Sequence, residues 1–151
     1  MREFYTCIDH LKTILEADIN VNTIKHGLRS LTDVEKQNIF PLAHLQVTSS
    51  HIENGFVSFT FEVAVVDIRN ISNVPVTDKW LSNDDELDNL NTCFAVLNRL
   101  ITTLTNTQND NNIELADFVN PTPIIFEEMN LLDGWRMDIE LRIPNIEISV
   151  C

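Results

Sequence analysis

The 151 residues carry 23 Asp and Glu against 10 Lys and Arg, a formal net charge of -13, and 44% of them are hydrophobic. That length suits a single domain, residues 1–151, whose core needs no disulfide or metal staple. Such an acidic surface repels phosphate, which argues against reading or wrapping nucleic acid but not against a non-adhesive surface past which DNA slides. The longest strongly apolar run, residues 63–66, falls far short of the roughly 20 residues of a spanning helix, so no membrane contact is expected. Acids interrupt the apolar residues of the N-terminal stretch, unlike a signal peptide, and synthesis and folding in a cytoplasm is the default. Cys7, Cys93 and Cys151 are odd in number and lack CxxC spacing, which argues against a disulfide framework and a zinc site; they read as free thiols, with Cys7 and Cys93 on apolar faces.

In chain order, Phe4, Ile8, Leu11 and Leu15 recur at helical spacing, so residues 2–18 are predicted to form an amphipathic helix against a sheet. Ile19, Val21 and Ile24 suggest a short strand before Gly27, and Thr32-x-x-Glu35 has the spacing of a capping box for a helical turn ending before Pro41. Asn54-Gly55 then separates two alternating runs, the signature of a hairpin closed by a type I′ turn with positive φ at both central residues. Val57, Phe59, Phe61, Val63 and Val65 share one face of the second run; Ala43, Leu45 and Val47 do so more weakly in the first. Residues 67–82 contain Asn, Ser and Pro and read as a long loop or projecting arm. Leu87, Leu90, Phe94, Leu97, Ile101 and Leu104 form a heptad-like stripe over 85–105, taken as a helix packed across the sheet in preference to a coiled coil. Residues 105–112 read as a polar connector, and 113–134 as one more strand and a turn. In residues 134–145, Trp135, Met137, Ile139, Leu141 and Ile143 alternate with Arg136, Asp138, Glu140 and Arg142, one face for a core and one for solvent or a partner. Ile146, Ile148 and Val150 suggest a last edge strand. The two-stranded hairpin and the 135–143 strand would form the centre of an antiparallel sheet. The fold class is α/β of the α+β type, a mostly antiparallel sheet flanked by helices.

Motifs for chemistry are few. With three glycines there is no loop to cradle a phosphate or dinucleotide, and the four histidines have no metal-ligand spacing, so neither cofactor nor metal is expected. The acidic run of residues 82–88 fails as a calcium loop, because Asn89 and Ala95 stand where glycine and the bidentate glutamate belong. It reads instead as a helix start, with Ser82 or Asn83 as cap and Asp84, Asp85 and Glu86 at the positive end of the helix dipole. Glu127 and Glu128 are paired acids without a marked cleft, more readily surface charges than the site of a hydrolase.

The order "DVEKQNIFPLAHLQV", an alternating "FTFEVAVVDI", an acidic "ND" leading into "NTCFAVLNRLI", and "GWRMDIELRIPN" resembles the tail-completion or tail-terminator-like neck ring proteins of tailed bacteriophages, crAss-like phages among them. The resemblance covers roughly residues 33–151 and rests mainly on the "KQNIFPLAHL" and "GWRMDIELRIPN" blocks. It implies a tail-terminator-like sandwich and a non-enzymatic virion protein, made in the infected host. Copies would form a homo-oligomeric ring at the head-to-tail junction or tail, docked on other neck or tail proteins, with DNA passing through its channel without specific binding. A host-protein-binding phage protein and a small carboxylate hydrolase remain the alternatives. Candidate interface residues are Val74, Val76, Trp80 and Leu81 on the arm and Arg136 and Arg142 on the charged strand face. The arm has a competing and preferred reading in which Trp80 folds back over the domain's own core.

Overall fold

The computed structural model describes residues 3–27, 39–75, 77, 79–80, 84–116, 119–127 and 131–145. The chain is α+β, with two helices and a six-stranded mixed sheet among the described residues. Helix α1 runs Glu3–Ala17; strands follow at Thr23–His26 (β1), Leu42–Glu53 (β2) and Phe56–Ile68 (β3). Helix α2 is Glu86–Asn111, and β4 (Glu114–Leu115), β5 (Thr122–Glu127) and β6 (Leu132–Pro144) complete the sheet. The strand order is β1-β2-β3-β6-β4, and β5 also pairs with β6. The expected antiparallel centre is present as β2-β3-β6, while β1 lies parallel to β2 and makes the sheet mixed. Among the described residues no helix is long and apolar enough to cross a membrane.

Alternation places the core. Val57, Phe59, Phe61, Val63 and Val65 of β3 stand beside Ile143, Leu141, Ile139, Met137 and Trp135 of β6, and both rows pack with α1 and α2 on one face. Phe4 of α1 meets Phe59 edge-on at 5.3 Å. Burying Phe61 completely contributes about 1.5–3 kcal/mol. A smaller cluster, Leu42, Ala64, Val66, Ile124 and Leu132, occupies one end of the opposite face.

Several expectations need correction. Gly55 has φ +88° but Asn54 is not in the left-handed region, so the turn has the sign pattern of type II, which requires glycine at its third position, rather than type I′. β2 carries a bulge between Val47 and Ser49, beyond which its side chains leave the core. Helix α2 continues through the supposed connector: Thr102, Thr105 and Thr107 donate their hydroxyls to carbonyls four residues back, and the helix ends at Asn112 with φ 52°. Its buried face is Asn89, Cys93, Val96, Leu97, Leu100 and Leu104, rotated from the apolar stripe, so Leu87 and Phe94 are 50% and 44% exposed. Residues 113–134 contain β4, β5 and the start of β6 where one strand and a turn were expected. The capping-box turn at 32–35 and the terminal strand at 146–150 lie outside the described residues.

Candidate subunit interface

The arm begins later than predicted, after Ile68, because β3 stays paired with β6 as far as Leu132. Its root is fixed by charge. Arg69 is buried and donates through Nε to Asp133 Oδ2 at 2.7 Å and through Nη2 to Asp133 Oδ1 at 2.6 Å and to Glu86 Oε2 at 2.8 Å. Asp133 is wholly buried at the start of β6, and Glu86 opens α2, so one guanidinium joins arm, sheet and helix. The bidentate geometry suits a guanidinium and would not suit an ammonium. Hydrogen bonding to Asp133 raises the Arg69 pKa further, so the guanidinium stays charged at every ordinary pH.

The acidic run before α2 continues this anchoring. Asp85 accepts from the backbone N–H and the side-chain amide of Asn70 at 2.9 and 3.1 Å, and Asp84, in the left-handed region at φ 55°, accepts from the Ser72 N–H at 2.9 Å. Asp85 is itself the N-cap, yet its carboxylate makes no cap bond. Asp84 and Asp85 thus hold the arm from the start of α2, where the acids were expected, while Ser82 and Asn83, the expected caps, lie outside the described residues. Asn89 reaches back from α2 to the Ile68 carbonyl at 3.1 Å. Asp67, opposite Asp133 in the β3–β6 register, has its pKa raised by burial, with the charge of Asp85 adding to the effect.

Beyond this root the described apolar residues of the arm are exposed. Val74 is 74% and Trp80 72% exposed, so Trp80 does not fold back over the core as the preferred reading had it. Val76 and Leu81 lie outside the described residues. Trp135 has the role on the domain body that had been expected of Trp80: its ring packs edge-on against Phe94 at 5.2 Å, and its indole N–H donates to the Leu90 carbonyl at 2.9 Å.

Arg136 and Arg142 stand elsewhere, on the face of β6 opposite the helices. Both are exposed, as is Asp138 between them, while Glu140 is half-buried. Arg136 donates to the Thr122 hydroxyl at 3.3 Å; Arg142 lies opposite Ser58 on one side and Glu114 on the other. The structure thus separates the candidate residues into an anchored apolar arm and a mixed-charge sheet face. Neither resembles a catalytic centre, and no group of three or more His, Cys, Asp or Glu able to hold a metal occurs among the described residues. Glu128 lies outside the described residues, so the paired acids are not characterised. Sequence reasoning missed Arg69 and Asp133 and the bond from Arg69 to Glu86; the one available signal was a lone arginine directly after an apolar strand.

The remaining titratable groups hold the domain together. Arg99 of α2 donates to both oxygens of Asp18 at 2.7 and 2.8 Å, beyond the end of α1. Burial alone would raise the Asp18 pKa, but hydrogen bonds from Arg99 and the Asn20 N–H, with the Arg99 charge, lower it overall. His10 and Thr107 join the helices at 3.1 Å, and burial lowers the His10 pKa. No protein-family model matches the chain, and comparison with curated proteins returns no match.

Proposed function

We propose that this chain is a structural virion protein of a tailed bacteriophage, a tail-terminator-like subunit of a ring at the head-to-tail junction or tail. The observation that carries the reading is the arm. Val74 and Trp80 are exposed beyond a root whose charged groups are engaged, in an otherwise acidic domain. Exposed apolar side chains beyond an anchored root are suited to a partner surface, and a contact between unlike surfaces of identical copies generates a ring when the rotation closes. The net charge of -13 supports a channel past which DNA slides without adhering.

Purified particles test the proposal. The chain should be present in them at a fixed ratio to the major capsid protein, in a cyclic ring on the portal-to-tail axis in a symmetry-resolved cryo-EM map. Free protein should not shift duplex DNA at physiological salt, since no basic stripe offers phosphates a partner. Absence from particles, together with capture of a host protein through Trp80, would instead assign the arm to a host partner.

A further inference from the structure

The β2–β3 hairpin is longer than the layer that covers it. β1 pairs only with residues 42–45 of β2, and residues 47–53 are all exposed. The direction of the free main-chain groups follows from the pairing. Gly27 donates its N–H to the Leu45 carbonyl, so before the bulge the odd-numbered residues of β2 point toward β1 and the even-numbered ones toward β3. The bulge inserts one residue, after which Ser49, His51 and Glu53 lie opposite Thr60, Ser58 and Phe56 and point inward to β3. Ser50 and Ile52 therefore present their N–H and C=O groups outward, where no strand among the described residues takes them. Protein edges of this kind are usually guarded by lysine, proline or a covering loop. Residues 46–53 contain neither lysine nor proline, and the bulge protects only one end.

We infer that this edge pairs antiparallel with the same edge of a second copy of the chain, about a two-fold axis through Ile52. The side chains select both partner and register. Ile52, 67% exposed on the helix-facing side, meets Ile52 of the second copy. On the opposite side His51 and Glu53, already 3.3 Å apart, each lie across from the other residue of the second copy, giving two cross-strand pairs of complementary character. Centring the axis on His51 would oppose two histidines, and centring it on Ser50 would set Glu53 against Val47. The segment thus complements itself, which an unrelated strand would match only by chance. The contact is isologous and short, well below the roughly 1,200 Å² of a standard stable interface, so it gives a weak, concentration-dependent dimer. It does not depend on the ring reading, whose contact joins unlike surfaces.

Purified protein tests it. Sedimentation velocity over a rising concentration series should show monomer passing to dimer, and Ile52→Lys should raise the dimer dissociation constant by about tenfold or more by opposing like charges. Because Ile52 is exposed, the urea midpoint of that variant should match wild type, separating dissociation from unfolding. In a Cys151→Ser background, with Cys7 and Cys93 buried, Ile52→Cys should oxidise to a covalent dimer. Hydrogen-bonded antiparallel partners stand about 5.5 Å apart at Cα, within the span of a disulfide. Glu16→Cys, on the exposed side of α1, measures random collision. A monomer at every concentration, or crosslinking at residue 52 no greater than at residue 16, overturns the inference.

Discussion

β3 and the arm that follows it are adjacent in the chain and both carry large apolar side chains, yet Phe61 is fully buried while Trp80 is largely exposed. β3 is paired on both sides and roofed by two helices, so alternation alone directs its large side chains inward. Among the described residues the arm has no strand partner, and its root is set by Arg69, Asn70 and Ser72 clamped to the carboxylates of Asp133, Glu86, Asp85 and Asp84. Apolar composition shows where burial is available, whereas position depends on which polar groups hold the backbone.

The largest effect should come from the strand. Phe61→Ala leaves a cavity against Phe4, Phe59 and Ile139 and should cost about 3–5 kcal/mol in urea unfolding, enough to unfold a marginal domain. Arg69→Met should cost about 3 kcal/mol, because Asp133 is left buried without its charge partner, and it should also release the arm to proteolysis. The double variant Arg69→Met, Asp133→Leu should recover much of the stability but not the protection of the arm, which separates anchoring from folding. Gly134→Ala should destabilise by about 1–3 kcal/mol, since its Cβ would collide with the Val65 carbonyl oxygen and stand 2.8 Å from Val66 Cα in the neighbouring strand.

Arg99→Gln is expected to cost only about 0.5–1 kcal/mol, because the guanidinium is partly exposed. The Asp18 pKa is lowered on folding, so this pair contributes fully above the unfolded carboxylate pKa and is lost as pH falls through the lowered folded value. The substitution should therefore flatten the acid limb of the stability–pH curve and leave the neutral-to-alkaline limb parallel to wild type. Trp80→Ser should change stability by no more than about 0.5 kcal/mol while depleting the chain from assembled particles. A large loss of stability in that variant would erase the distinction between strand and arm.

What the sequence discloses follows the same division. Period-two alternation in residues 57–65 and 135–143 has a single solution once one face is buried, so both strands and their inward rows were legible. The α2 stripe misled because it weighted the largest side chains, while the sheet takes the face bearing Cys93, Val96 and Leu100 and leaves Phe94 at the margin with Trp135. Parallel pairing of β1 with β2 has no local signature. Neither does the bond from Arg69 to Asp133, 64 residues away, which exists only once β6 lies against β3. The interface candidates were legible as exceptions, apolar residues in a polar stretch, but composition could not distinguish a projecting Trp80 from one that folds back.

The pairing of β3 with β6 also bears on how the molecule is made. The two strands match along thirteen residues each, yet the whole of α2 and two further strands separate them in the chain. Contacts so distant in sequence form slowly, and during synthesis the N-terminal portion is extruded first. Until residues 132–144 have been translated, one border of β3 has no mate, and the half-made domain carries Phe59 and Phe61 on an adhesive, unfinished sheet. Fragments cut before Leu132 should therefore aggregate when expressed, whereas the full chain should not.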